Sequence, residues 1–414
     1  MQKKKIVVVG AGPAGMMAAI KAGSLGQDVI LVEKNSILGN KLLLSGKGRC
    51  NLTNACELDL FLERFPKSGQ FLRDAFKKFF NQDLMSFFQE RGLELKVERQ
   101  LRVFPVTDRS TSIVDILKEE LLKQNVKIMF KFKLIDILIK NNSVKGIYIN
   151  DGELVYCDKL ILATGGASYS FTGSTGEGLA IVKKIGHEIV TLLPGLIPLD
   201  TKEDYPRILK GLTLKNISIK FCTGKLELIS EVGELLFTGT GISGPLVLTL
   251  SAKVVDWLSQ KKDVYVQIDL KPGLTYEQLD ARLLREFKAN PKKGFKKIAK
   301  SLLPLKLIDI FLKLTNIDPF KKANQLTQKE RNDFVSLLKC WRLVISSSRP
   351  IEEGMVTQGG VSLKEINPRT MESRIIKGLY FCGEMIDVDA DTGGFNLQAA
   401  FSTGYLAGES AGST

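Results

Sequence analysis

Ile6 to Val9 form an unbroken apolar, β-branched run, the pattern of a strand covered on both faces within a parallel sheet. Gly10, Gly12 and Gly15 follow at once, then a helical pattern through Met16, Met17, Ala19 and Ile20, then a second apolar run from Val29 to Val32 that closes on Glu33. Together they predict a βαβ unit of about thirty residues, the setting in which G-x-G-x-x-G marks a dinucleotide site. The glycines permit a tight turn, close approach of a pyrophosphate to backbone N–H groups and close helix–strand packing. Glu33 is placed to accept hydrogen bonds from adenosine ribose hydroxyls.

Further along, Leu72, Ala75, Phe76, Phe79, Phe80, Leu84, Phe87 and Phe88 recur at spacings of three and four, predicting one helix over 72–88 that ends near Gly92. The aromatic stripe has the period of a buried face, so core packing accounts for it better than a ligand box. From Lys127 to Leu162 the pattern becomes short strands divided by Asn141-Asn142-Ser143 and Asn150-Asp151-Gly152, an antiparallel meander. Leu160 to Gly166 then reads as a buried strand ending on glycines, a return to the parallel sheet. After Pro194 come strands around 217–222, 225–230 and 264–270, followed by a Lys-rich helical stretch over 276–338. Gly378 to Glu384 predicts a further short strand, and a helix is expected from about Leu397 to Gly408. A sheet begun at one end of the chain is therefore completed at the other, with residues from about 191 to 353 inserted between.

Charge and rare residues narrow the chemistry. The 414 residues carry 59 Lys+Arg against 45 Asp+Glu, a net charge of +14, which favours phosphates, acidic lipids or anionic small molecules. Between Arg282 and Lys300 stand eight basic residues and one acid, yet Pro291 and Gly294 interrupt the run and no aromatics alternate with the charges, which favours a solvated helical face over nucleic-acid binding. His187 is the only histidine, which disfavours histidine-ligated metals and Ser/Cys–His catalysis; a helix-end or loop role is expected of it, and a cofactor is expected to carry any chemistry. The six cysteines lack a C-x-x-C pair, so no metal site is assigned and a reducing cytoplasm fits best. Lys3 to Lys5 before an apolar run imitate a secretion signal, but three glycines and a second strand follow. The apolar region from Leu302 to Leu314 is broken by Pro304, Lys306, Asp309 and Lys313, too short and too interrupted for a membrane span.

Four glycine-containing segments, 10–15, 45–51, 163–166 and 383–396, are expected to meet at the carboxyl edge of one sheet. FAD needs such a spread: its pyrophosphate suits the first helix N-terminus, its ribityl hydroxyls suit Asp387 or Glu384, and the helix starting near Asn396 points its positive end at the ring. Lys47 and Arg49 in the 45–51 loop can hold a phosphate or an anionic substrate group, while Cys50 reads as a packed thiol. Gly173 to Gly178 imitates a second dinucleotide motif but lacks its own βαβ unit, so it reads as loop and helix start.

With these segments in place, GAGPAG (10–15), GNKLLLSGKGRCNLTN (39–54), ATGGASY (163–169), GSTGEG (173–178), LFTGTGISGP (236–245), VTQGGVSLKEINPRTMESR (356–374) and GLYFCGEMIDVDADTGGFNLQAAFSTG (378–404), the chain resembles the bacterial NAD(FAD)-utilizing dehydrogenases, the aminoacetone oxidase-like FAD flavoproteins, a family that also includes a bile-acid-pathway reductase. The resemblance covers nearly the whole chain and rests most on the second and last segments. It implies an α/β fold: a glutathione-reductase-type FAD-binding Rossmann domain built from both chain ends (1–190 and 354–414), an inserted β-barrel-like substrate domain (191–272 and 339–353) and a helical domain (273–338). It implies noncovalent FAD held by Gly10, Gly12, Ala14, Gly15, Glu33, Lys34, Lys41, Ser45, Gly46, Arg49, Asn51, Ala163, Thr164, Gly165, Gly383, Glu384, Asp387, Asn396, Leu397 and Gln398, with Leu134 at a position whose backbone contacts adenine in related flavoproteins. Thr357, Gly359 and Gly360 are placed near the ring, and Arg49 or Arg342 would orient an anionic group.

Two departures weaken import of a substrate: Gly239 stands where relatives usually carry histidine, and Asp387-Val388-Asp389-Ala390 replaces the usual DVDG. The expectation is a cytoplasmic FAD-dependent oxidase or dehydrogenase of a small molecule, such as a small amine like aminoacetone. The alternative is a reductase in which NAD(P)H, as transient donor, feeds an enoyl or quinoid acceptor. An RNA-acting flavoprotein and a non-catalytic flavin sensor rank below both, and no oligomeric state is implied.

Overall fold

The computed structural model describes residues 3–65 and 67–413. The chain divides into two compact units, Met1–Gly195 with Pro350–Thr414, and Leu196–Arg349.

The first unit is built on five parallel strands. β1 (Lys5–Val9) leads through α1 (Pro13–Ser24) to β2 (Asp28–Glu33); β3 (Lys127–Phe130), β4 (Lys159–Leu162) and β5 (Leu379–Phe381) complete the order β5-β4-β1-β2-β3. Val7 faces Ile30 on one neighbour and Leu160 on the other, both in parallel register. The strand order reverses between β1 and β4, so the crevice at their carboxyl ends is the natural ligand position of such a sheet. Both faces are covered, which is why the strands read as continuous apolar runs. Ile6, Val8, Val29, Leu31 and Ile161 pack with Met16, Met17 and Ile20 of α1 and Phe401 and Leu406 of α2 (Phe395–Ser413). Val7, Val9, Ile30, Val32, Leu160 and Leu162 pack on the other face with Ile137, Ile147 and Ile149 of the three-stranded meander Leu134–Lys140, Ser143–Ile149 and Glu153–Tyr156. Each such buried aliphatic side chain contributes about 1.5–3 kcal/mol. α1 and α2 approach so closely that a Cβ on Gly404 would lie 2.2 Å from the Ala14 carbonyl oxygen, and one on Gly408 2.3 Å from that of Ala18.

The single helix predicted over 72–88 is two, Gly69–Lys78 and Asn81–Gln89. Phe79 and Phe80 are extended between them. The Asp83 carboxylate accepts the Phe80 N–H at 2.7 Å and so starts the second helix. The Asn81 amide donates to the carbonyls of Asn54 (2.8 Å) and Cys56 (2.9 Å), and Ser402 of α2 donates to the Phe79 carbonyl at 2.6 Å. Apolar period continues through the break because Phe76 of the first helix and Phe80 at the start of the second join one aromatic cluster, both edge to face with Phe61, which also meets Phe395 edge to face and stacks on Phe65.

The second unit carries a seven-stranded antiparallel sheet. Its longest strand, Thr213–Thr223, pairs with Leu226–Ile229, Gly233–Phe237 and Val264–Asp269. The sheet continues through Gly241–Ser243, Leu199–Thr201 and Trp341–Ser348, and the last of these pairs with Val264–Asp269, closing six strands on themselves. Helices Tyr276–Ala289, Phe295–Ala299, Leu305–Leu314 and Gln328–Lys339 bury Leu283, Phe295, Phe311 and Phe334 among themselves, with Phe295 and Phe334 edge to face at 4.9 Å. Among the described residues no helix is long and apolar enough to cross a membrane.

Candidate functional site

The carboxyl edge of the parallel sheet brings several of the sequence-predicted residues together. Gly10 sits at φ +101°, donates its N–H to the Val32 carbonyl at 2.8 Å, and would place a Cβ 2.4 Å from the Ala163 carbonyl oxygen. A Cβ on Gly15 would stand 1.8 Å from the Gly10 oxygen, so both glycines serve the fold itself. Gly12 differs: its φ is an ordinary −78° and a Cβ there would meet nothing within 4 Å. It begins α1 with no side-chain cap, so open space faces the positive end of the helix, the cradle an anionic phosphate requires. Beside it Glu33 is 8% exposed, its two oxygens accepting the N–H groups of Ala11 and Asn35, each at 2.8 Å. Each oxygen keeps a lone pair for a further donor.

A polar network stands at the ends of β4 and β5. The Glu384 carboxylate pairs with Lys41 Nζ at 2.6 Å and accepts from Ser168 Oγ at 3.0 Å and from the Thr357 N–H at 2.7 Å. Thr357, 1% exposed, accepts the N–H groups of Ala167 (2.8 Å) and Ser168 (3.0 Å) and donates to Ser168 Oγ at 3.0 Å. Ser168 was missed in the sequence; only its place in ATGGASY hinted at it. Burial pushes the Asp387 carboxyl up, opposed by the charge of Lys67 and a hydrogen bond from the Gly359 backbone. Thr164 Oγ1 is buried against Gly178 without a hydrogen-bond partner among the described residues, Gly165 adopts φ +78°, and Gly383 adopts φ +70° where a Cβ would meet that of Ala14 at 2.7 Å. An uncapped helix end and an open cradle at Gly12 suit an extended nucleotide with phosphates to fill them.

Other predicted residues are already engaged. The Asn396 amide bonds Ala390 through both its N–H (2.8 Å) and its carbonyl (2.9 Å), and the Gln398 side chain accepts from Thr53 Oγ1 (2.6 Å) and donates to Ser402 Oγ (3.0 Å). Leu397 is half-buried against the core. Asn51, in the orientation its neighbours require, donates to the Thr53 carbonyl and accepts from the Gly394 N–H at 3.0 Å. Ser45 Oγ donates to the Leu42 carbonyl at 2.7 Å, while Gly46, Lys47, Gly48 and Cys50 all hold positive φ in the loop that follows. Arg49 stacks over Phe104 at 4.2 Å, donates to Asp108 at 2.8 Å and pairs with Glu98. Lys34 donates to Thr175 Oγ1 at 2.9 Å and pairs with Glu177 at 3.1 Å, and hydrogen bonds from Lys133 and then Lys34 hold the Glu177 carboxyl down to about 2. Leu134 is buried at the start of the meander. Arg342 lies in the second unit, its guanidinium 3.6 Å over the Tyr265 ring.

His187 follows the helix Glu177–Lys184 and is buried, with Nδ1 2.8 Å from Glu365 and Nε2 3.1 Å from Ser373 Oγ. The trio imitates a hydrolytic triad, but Ser373 Oγ also accepts the N–H groups of Ile375 (3.1 Å) and Ile376 (2.9 Å) and is enclosed, so it fastens two loops together. Cys50 is fully buried, which pushes its thiol up to about 12, whereas Cys340 is exposed. In the folded protein at pH 8 iodoacetamide should label Cys340 and spare Cys50, read by peptide mass; early labelling of Cys50 would show that its pocket opens.

A profile of the HI0933-like protein Rossmann domain matches residues 4–410. A 3-dehydro-bile acid delta(4,6)-reductase of Clostridium scindens is 31% identical over 411 residues, 98% of each chain. A ribosomal RNA dihydrouridine synthase of Escherichia coli is 30% identical over 98% of this chain and 97% of its own. Among solved structures, a quinol-fumarate reductase has a TM-score of 0.52 at 17% identity, over 99% of this chain and 71% of its own. The 3-ketosteroid delta1-dehydrogenase of Sterolibacterium denitrificans has the same TM-score, 0.52, at 13% identity over the whole of both chains. At such identities these two show the fold. The chain belongs to the HI0933-like family of FAD-binding Rossmann flavoproteins and is an FAD-dependent oxidoreductase.

Proposed function

We propose that this flavoprotein reduces a C=C bond conjugated to a carbonyl, with NAD(P)H as the transient donor of electrons. One observation carries the reading: two relatives aligned over 98% of this chain are named for that operation on different skeletons. A delta(4,6)-unsaturated 3-oxo steroid and the uracil ring of uridine both present an alkene in conjugation with a carbonyl, which takes up hydride at its far carbon and a proton at its near one. FAD, when bound, supplies the hydride.

The chain's own residues bind and orient. In this reading the backbone of Gly12, Ala14 and Gly15 at the α1 N-terminus receives the pyrophosphate, Glu33 the adenosine ribose, and the backbone of Leu134 the adenine. Ala163, Thr164 and Gly165 line the β4 end through their backbone, since the Thr164 hydroxyl is enclosed against Gly178. Of the two carboxylates suited to ribityl hydroxyls, Glu384 already accepts from three donors, so Asp387 takes that role. Lys41, Ser168 and Thr357 have their polar atoms bound to one another and to Glu384, which makes Thr357 a positioning residue rather than a reacting one. Asn396 would contribute its backbone N–H at the start of α2, since its side chain is engaged, whereas the Gln398 N–H already donates to the Gly394 carbonyl at 3.1 Å; Lys34, Ser45, Gly46 and Asn51 shape the loops around the edge. Arg49 is neutralised by Glu98 and Asp108, so its charge is not free for an anionic substrate group.

The test is product mass. FAD-loaded protein with NADPH or NADH should add two hydrogens to a steroid dienone or to uridine in ribosomal RNA. The small-amine oxidase reading forecasts the reverse, bleaching of the oxidised flavin by aminoacetone and hydrogen peroxide on admission of air; that outcome would overturn the proposal.

A further inference from the structure

The basic run between Arg282 and Lys300 looked like a solvated face because Pro291 and Gly294 interrupt it and no aromatic alternates with its charges. The fold supplies what the linear pattern lacked. The interruption lets residues 291–295 pair with 321–324: Gly294 bridges Lys322, the Phe295 N–H donates to the Lys321 carbonyl at 2.8 Å, and the Ala323 N–H donates to that of Lys293 at 3.0 Å. This brings Lys322 beside Lys292 and Lys293, and with it Phe320, which is 89% exposed, the most exposed of the large hydrophobics in the described residues. The Asp318 carboxylate accepts the Phe320 N–H at 2.9 Å and fixes the turn that presents the ring. Lys296 is paired with Asp309 and Lys321 with Glu330. Lys292, Lys293, Lys297, Lys300 and Lys322 are exposed and, among the described residues, have no carboxylate within ion-pair distance.

We propose that this corner of the helical segment binds single-stranded RNA, its free lysines holding phosphates while Phe320 stacks on a base. An exposed phenylalanine framed by unpaired cations is the arrangement that tracks a flexible nucleic-acid backbone and accepts any base on its ring. The inference rests on the reductase reading for its choice of RNA, one of the two kinds of molecule in which that reading finds a conjugated alkene. A duplex would offer no free base to Phe320, and an acidic membrane would use the lysines without needing a planar partner.

The experiment uses the full FAD-loaded chain and a fluorescein-labelled oligouridylate, read by anisotropy between about 50 and 200 mM KCl. The unmodified protein should bind, with affinity falling as salt rises. Joint Lys292→Gln, Lys293→Gln and Lys322→Gln should reduce the slope of log affinity against log salt by about 2, near 0.7 for each phosphate no longer neutralised. Phe320→Ala should weaken binding about tenfold and leave that slope unchanged. Flavin content and dienone reduction should be unchanged in all variants, which shows that they fold. Variants that bind as the parent does would overturn the proposal, as would phosphatidylserine vesicles bound in place of RNA. Loss of RNA binding in the variants with no reduction of any conjugated alkene by the parent would uphold this surface and sink the reductase reading; alkene reduction with no RNA binding would do the opposite.

Discussion

Replacing Gly12 with valine should strip the protein of its flavin and leave its fold intact. Residue 12 has φ −78° and ψ −178°, extended backbone that a β-branched residue adopts readily, and a Cβ there meets nothing within 4 Å. Folded stability should therefore stay within about 0.5 kcal/mol of the parent. The space the isopropyl group enters is the one proposed for the pyrophosphate, and loss of two charge-assisted hydrogen bonds there, about 3 kcal/mol, is roughly a hundredfold in FAD affinity. Gly10→Ala is the contrast: φ +101° and a Cβ 2.4 Å from the Ala163 carbonyl oxygen predict a protein that fails to fold. Thermal melts of the flavin-free forms, followed by fluorescence titration with FAD, separate the two. A Gly12→Val protein that binds FAD as the parent does would show that the cradle serves no phosphate.

Glu33→Ala should show both effects at once. The sequence placed Glu33 only at the adenosine ribose hydroxyls. In the structure the carboxylate also accepts the N–H groups of Ala11 and Asn35, and removing it orphans two backbone donors in an enclosed place, at about 1–3 kcal/mol each. The flavin-free protein should melt several degrees lower, by roughly 2–4 °C per kcal/mol for a unit of this size. FAD affinity should fall by about a hundredfold or more, because the ribose partner and the glycine turn are lost together. An unchanged melting temperature would remove the structural role, and unchanged affinity the ribose role.

The contrast between these two residues shows what could be read from the chain and what could not. β1, α1 and β2 were readable because strands covered on both faces must be apolar throughout and because glycines at 10 and 15 answer to local geometry. The meander was readable from its turn residues. The break at Phe79–Phe80 was not, since its cause lies in Asp83, in the Asn54 and Cys56 carbonyls and in Ser402, partners far apart in the chain. The same holds for the site. Glu384 was picked out by its motif, but its engagement by Lys41, Ser168 and Thr357 joins four segments that no spacing rule connects. Arg49 looked like an anion holder while Glu98 and Asp108, which neutralise it, stood out of sight. Phe320 lacked meaning until backbone pairing set it beside Lys292 and Lys293.

The central claim is tested most directly by rapid anaerobic mixing of the FAD-loaded, fully reduced protein with a carbonyl-conjugated alkene, following the visible band of the oxidised flavin. The band should return in step with formation of the saturated product, and a saturated analogue of the same skeleton should leave it bleached. A flavin that stays reduced with every conjugated alkene, or a protein that cannot take up FAD, would contradict the account.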